Sequence, residues 1–289
     1  MGIFNTDKTK EKKEKEPAYY LSATKIPVRN YRVYYLSKTE KIHFGIIAFI
    51  AGGAVGYLFY GGIGKTEFGP QPITYICDFL SIVLVGTVAT IIALPQIAKS
   101  KQDKRRRALS KQFRDMLDAL TTSVGAGRNV TEAFVAARED LGMQYDEDAD
   151  ILHELDVING EVINSVPLED LLESFGERSG IDDIKSFANV FRISYRKGGN
   201  MKDIIRNTHA VLSDKMAIKE EIETLVSGNK FEQKIMMVMP ILLIALIKFA
   251  APDFAEKFTT GSGLAATTVA IAMFVASFFL SKKMMDIKL

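Results

Sequence analysis

The chain has 289 residues, 47% of them hydrophobic, and its 37 Lys and Arg nearly balance 35 Asp and Glu, for a formal net charge of +2. A single cysteine, Cys77, excludes an intrachain disulfide framework and a cysteine-based metal site. The apolar residues gather in four nearly charge-free runs around one long polar segment, a layout that argues against a soluble enzyme.

Residues 1–16 are a Lys/Glu tail whose composition suits disorder. Residues 17–41 interleave Tyr19, Tyr20, Tyr31, Tyr34 and Tyr35 with Lys25, Arg29 and Arg32. That pattern reads either as an interfacial segment, with rings at headgroup level and cations toward anionic lipid, or as an ordinary juxtamembrane linker. No cleavable signal peptide is expected, because no small-residue cleavage pattern directly follows the first apolar run.

The four runs are His43–Tyr60, Ile73–Ile97, Ile235–Ala251 and Leu264–Leu280. A helix needs about 20 apolar residues to cross roughly 30 Å of hydrocarbon. Ile73–Ile97 meets that easily, and the other three sit near the short limit. Gly52 and Gly56 give the first run a small-xxx-small spacing suited to close helix packing. Pro95 and Pro240 are expected to bend the second and third. Asp78 and Lys248 lie near span ends, where they can reach water or each other. Lys and Arg cluster before the first run, after the second and after the fourth, whereas the loops Gly61–Pro72 and Pro252–Gly263 hold one lysine each, Lys65 and Lys257. The positive-inside rule then puts both termini and the polar segment in the cytoplasm.

The polar segment, Ala98 to Lys234, reads as six amphipathic helices without a strand pattern. The first, about Lys101–Val124, carries Leu109, Phe113, Met116, Leu117 and Leu120 on one face. Asn129 with Glu132 forms a capping box for the second, which buries Val130, Ala133, Phe134 and Ala137. The third, about Asp148–Asn164, presents Ile151, Leu155, Ile158 and Val162. Pro167 opens the fourth, striped by Leu168, Leu171, Leu172 and Phe175 and ended by Gly180. Asp182 or Asp183 opens the fifth, with Ile184, Phe187, Val190, Phe191 and Ser194 inward, and Gly198-Gly199 breaks it. Asn200 caps the sixth, whose stripe is Met201, Ile204, Ile205, Thr208, Val211 and Leu212, and which leads toward the third run. The fold class expected is all-α: an integral membrane protein with two N-terminal and two C-terminal transmembrane helices flanking one cytoplasmic six-helix antiparallel bundle. The corresponding divisions are 1–41, a tail with a juxtamembrane segment; 42–97, a transmembrane hairpin; 98–234, the helical domain; 235–281, a second hairpin; and 282–289, a cytoplasmic tail.

Charge within the helical domain is polarised. Glu139 to Asp183 holds fifteen acidic residues and one basic, Arg178, whereas Lys185 to Lys219 holds eight basic and two acidic. Opposed fields steer an oriented protein partner, and the acidic region argues against nucleic acid. Gly61-Gly-Ile-Gly-Lys-Thr66 imitates a phosphate loop, but Phe59 stands where its first glycine belongs and no strand precedes it. His43, His153 and His209 have no second histidine or cysteine at ligand spacing. Asp146-Glu147-Asp148-Ala149-Asp150 lacks the central glycine and terminal glutamate of a calcium loop. No nucleophile elbow appears. No catalytic residue, metal ligand or cofactor is expected.

Gln112-Phe-Arg-Asp-Met-Leu-Asp-Ala-Leu120 leads to Gly125-Ala-Gly-Arg-Asn-Val-Thr-Glu-Ala133. Val166-Pro-Leu-Glu-Asp-Leu-Leu172, Arg178-Ser-Gly180, Phe187-Ala188, Arg196-Lys-Gly-Gly-Asn-Met201, Phe231-Glu-Gln233 and Met239-Pro240 follow in that order. Together these resemble the type II secretion F-domain family over most of residues 108–242. Two spans, one F domain and two spans look like its tight-adherence (Flp) pilus branch, the TadB/TadC type, since relatives in other secretion platforms usually carry two F domains. The resemblance implies a non-enzymatic, multi-pass platform in the inner or plasma membrane. Its expected partners are a hexameric cytoplasmic secretion ATPase, pilin, the lipid bilayer, and a sister F-domain protein or a second copy. Candidate docking residues are Asp146, Glu147, Asp148, Asp150, Glu154, Glu169, Asp170 and Glu173 on the acidic side, with Arg196, Lys197, Gly198, Gly199 and Asn200 at the following turn. The Gly198-Gly199-Asn200 run also reads as a plain helix break and N-cap. The alternative function is a small permease or exporter subunit with a cytoplasmic regulatory helical domain.

Overall fold

The computed structural model describes residues 16–63, 65–66, 69–251 and 257–285. Residues 1–15 of the expected Lys/Glu tail and residues 286–289 of the C-terminal tail lie outside them. The chain is predominantly helical, with two small antiparallel hairpins that the all-α expectation did not include. In the first, β1 (Tyr19–Leu21) pairs with β2 (Pro27–Arg29), Tyr20 opposite Val28. In the second, β3 (Lys65–Thr66) pairs with β4 (Gly69–Pro70). The helices are α1 (Lys38–Tyr60), α2 (Pro72–Gly125), α3 (Val130–Gln144), α4 (Asp150–Ile163), α5 (Leu168–Ser179), α6 (Asp182–Arg196), α7 (Met201–Ala250) and α8 (Gly261–Met285). A short 3-10 turn, Lys257–Thr259, precedes α8.

Two compact units divide the chain. One combines the segment up to Tyr35 with Lys101–Ala210, and the other combines Leu36–Ser100 with Val211–Leu289. The first unit therefore takes in most of the segment assigned above to a juxtamembrane role.

In the first unit, local signals and core agree closely. Asn129 Oδ1 accepts from the Glu132 amide at 2.8 Å, and Glu132 reaches back to the Asn129 amide at 3.4 Å, starting α3. Gly180, at φ 62°, ends α5, and Gly198, at φ 69°, follows α6; both are left-handed positions that glycine fills without strain. The predicted α2 stripe, Leu109, Phe113, Met116, Leu117 and Leu120, is fully buried. Phe113 meets Phe175 and Phe187 edge-on at 6.2 and 5.5 Å, and Phe187 leans on Phe191 at 5.7 Å. This aromatic seam joins α2, α5 and α6. α4 packs beside α3 and α5 through Ile151, Leu155 and Ile158. Val190, assigned to the α6 core face, is exposed instead, because the buried stripe is narrower than the periodicity suggests.

Among the described residues, three helices are long and apolar enough to cross a membrane, α1, α2 and α7, the last two reaching into the second unit with their apolar parts. The described apolar part of α8, Gly261–Ser277, is shorter. Gly52, Gly53 and Gly56 are buried where α1 meets α2. A methyl group on Gly52 would lie 2.5 Å from Ala89 Cβ and 3.2 Å from Gly86 Cα, so the small-residue spacing serves close packing within the chain. Asp78 and Lys248 converge on the turn that ends α1: Asp78 accepts from the Gly62 amide at 2.7 Å, and Lys248 donates to the Gly61 carbonyl at 2.9 Å.

Candidate partner-docking surface

Asp150, Glu154 and Glu161 recur at spacings of four and seven, which places them along one side of α4. All three are buried, although carboxylates are rarely buried without partners. The β1–β2 hairpin supplies part of what they need. It is held in shape by Asn30, whose amide donates to the Ala18 carbonyl, whose side chain donates to the Pro17 carbonyl, and whose Oδ1 accepts from the Arg32 amide. The next residue, Tyr31, donates its amide to the Arg178 carbonyl at 2.9 Å and its hydroxyl to Glu154 at 3.0 Å. Tyr31 is 2% exposed, so the headgroup-level reading of this ring is corrected: a carboxylate waiting inside the helical unit takes it up.

Glu154 is also gripped by both ends of the Arg178 guanidinium, at 2.9 and 2.7 Å, and Arg178 donates further to the Arg29 carbonyl at 2.8 Å. Burial alone would lower the Arg178 pKa, but the contact with Glu154 outweighs it and holds the group above its ordinary value. Burial first, and the Glu154 charge second, push the Tyr31 phenol far above its ordinary range, so it stays a donor. Asp150 is bridged by two arginines, Arg29 at 2.6 Å and Arg105 at 2.6 and 2.7 Å. Burial pushes the Asp150 carboxyl up, against the pull of Arg29 and His153. Glu161 accepts from the Thr24 hydroxyl at 2.6 Å and the Thr24 amide at 3.3 Å, at the hairpin turn. Hydrogen bonds from Ser22 and Thr24 hold its carboxyl below the ordinary value.

Two of the predicted docking residues, Asp150 and Glu154, are thus enclosed in this internal network. Glu169 is as buried as Asp150, and the others lie nearer the surface. Asp146, Glu147 and Asp148 are exposed in the α3–α4 connection, where Glu147 and Asp156 both bind Arg138. Arg196 links Glu169, at 3.1 Å, with Asp170, at 3.3 Å, and Arg192 holds Glu173 at 2.6 Å. These contacts draw the acidic start of α5 onto the basic end of α6. Lys197, Gly198, Gly199 and Asn200 continue the same end as an exposed turn, with Tyr195 stacked on Phe191 at 5.3 Å beside it. Asn200 accepts from the Asp203 amide at 3.4 Å, as an N-cap does. The assembled patch is a rim of mixed charge with internal partners.

Arg29, Tyr31, Arg105, Arg178, Thr24 and Glu161 escaped the sequence reading of the site. Arg178 alone carried a signal. It is the single base within fifteen acids and stands three residues after Phe175, on the buried face of its helix.

Comparison with protein-family models, with curated proteins and with solved structures finds no match for this chain.

Proposed function

We propose that this chain is a non-enzymatic platform of a secretion or pilus-assembly machine in the cell membrane, of the tight-adherence F-domain type. In this reading α1, α2, α7 and α8 supply four spans, and the first compact unit is a cytoplasmic helical bundle with both termini on its side of the membrane. The bundle would receive a hexameric secretion ATPase, and the spans would handle pilin and meet a sister protein or a second copy. The observation that carries the proposal is the chain order: a compact helical unit whose polar helices α2 and α7 continue in sequence into apolar stretches on either side. The ordered motifs between residues 108 and 242 support the same reading. The patch formed by Glu169, Asp170, Glu173, Arg192 and Arg196–Asn200 is the preferred ATPase surface, because Asp150 and Glu154 are already engaged within the chain.

An exporter subunit would call for ionisable groups free at mid-depth of the spans. Asp78 and Lys248 are both bound to the Gly61–Gly62 turn, which favours a fastening role for them.

The test is co-purification with a hexameric secretion ATPase from the same organism. The wild-type protein should retain the ATPase, and the double reversal Asp170→Lys with Glu173→Lys should weaken retention at least tenfold while the protein still folds. Failure of the wild-type protein to retain any such ATPase would reject the platform reading. Retention unaffected by the reversal would reject only the surface.

A further inference from the structure

Another polar cavity lies on the first unit, outside the patch just described. It has a volume of about 360 Å³ and is lined by Arg32, Arg106 and Lys185, with Glu177, Asp182 and the Gly180 turn completing the wall. The three cations come from separate parts of the chain: the segment after β2, the α2 helix and the first turns of α6.

Their own partners leave this group incompletely satisfied. Lys185 meets Glu177 at 2.9 Å, with both side chains more than half exposed, and Arg32 meets Glu16 at 3.4 Å. Arg106 has a buried Nε for which no acceptor is present among the described residues. A buried guanidinium N–H without an acceptor is costly and calls for one. The turn itself is shaped around the two arginines. Gly180 is left-handed, and a Cβ there would lie 2.8 Å from Arg32 Cγ and 3.4 Å from Arg106 Nη2. A side chain at Gly180 would therefore push the Arg32 stem aside and come into contact with the Arg106 guanidinium. The lysine and Arg32 hold the Glu177 carboxyl below its ordinary value, a sign of positive potential across the opening.

We propose that the Arg32–Arg106–Lys185 cavity binds a phosphate group. Three cationic side chains converging from separate segments suit the higher charge and the several terminal oxygens of a phosphate monoester or the free ion better than the single charge of a carboxylate. Arg106 supplies the outer end of its guanidinium, which lies beside the Gly180 turn, and Arg32 and Lys185 exchange weak, exposed carboxylate contacts for the ligand. The phosphate could belong to a soluble ion or to a lipid headgroup, and these sources are separable. This inference stands apart from the platform reading.

The experiment uses the full chain. In detergent micelles, inorganic phosphate is titrated against chloride at matched ionic strength, and both the thermal unfolding midpoint and phosphorus NMR line width are followed. In parallel, the chain is placed in nanodiscs of phosphatidylcholine alone or with phosphatidic acid, whose headgroup is a phosphate monoester. Saturable protection by inorganic phosphate assigns the soluble source, and protection confined to the phosphatidic acid discs assigns the headgroup. In either case Arg106→Gln should weaken the effect at least tenfold, Arg106→Lys should give an intermediate loss, and Lys104→Gln, outside the lining, should change nothing. Absence of protection in both settings overturns the proposal, as does protection undiminished in Arg106→Gln. If Arg106→Gln does not fold, Arg106→Lys decides: a titration superimposable on wild type overturns it.

Discussion

Arg178 and Glu154 form an almost dry ion pair, 7% and 3% exposed at their side chains, with Tyr31 as a third member. Removing one partner strands the other charge, whereas removing both strands no charge and leaves the Tyr31 hydroxyl and the Arg29 carbonyl without these partners. Arg178→Met should therefore destabilise the first unit by about 3–5 kcal/mol, and adding Glu154→Met should recover part of that loss. Thermal unfolding of the two variants beside wild type measures the coupling. Glu161 gives a pH-dependent counterpart. Its folded carboxyl lies below the ordinary value of 4.5, so its stabilising contribution is complete above that pH and is lost as pH falls through the lower folded value. Exchange protection of the Thr24 amide, corrected for intrinsic rate, should drop in that acidic window. In Glu161→Gln the drop should be absent.

At the scale of elements, legibility depended on how local the determinant was. The Asn129–Glu132 capping box, the Gly180 stop and the Leu109–Leu120 stripe each depend on neighbours within a few turns, and each was readable in advance. Val190 and Val211 were placed inward by the same periodicity, yet they are 47% and 69% exposed, because period alone does not reveal how wide a face the neighbours cover. The β1–β2 hairpin was not readable. Its strands have three residues each, and Tyr31 finds its carboxylate 123 residues away. Such a contact has no local pattern. The docking list shared this weakness, since an acidic run does not reveal which carboxylates already have partners. The packing of α1 on α2 offers an element-scale test. Gly52→Ala should lower the thermal midpoint clearly, since its methyl meets Ala89, while Gly45→Ala, whose nearest neighbour would be Thr90 Cγ2 at 3.8 Å, should be neutral or slightly stabilising. Gly52→Ala combined with Ala89→Gly should restore part of the loss.

At the scale of the whole molecule, the platform reading commits to one topology. In a Cys77→Ser background, a cysteine at Asp146 should react with a membrane-impermeant maleimide only after the cytoplasmic side is opened, and one at Thr259 should react from outside. Reversed labelling would remove the proposal, because an ATPase could not then reach the helical unit. The positive clusters at residues 99–107 and 282–288 are what set this expectation.

The hairpin's attachment also governs how the protein can be made and cut. Translation releases residues 16–35 first, then the segment that carries α1 and the apolar start of α2, and only later the helix bearing Asp150, Glu154 and Glu161. In the platform reading, the opening stretch waits on the cytoplasmic side of the membrane until its carboxylates emerge, and the helical unit closes only after the intervening apolar pair has been inserted. A fragment limited to 98–234 would be born without its clasp and should aggregate or melt early. Residues 16–36 joined to it by a flexible linker should bring back cooperative unfolding.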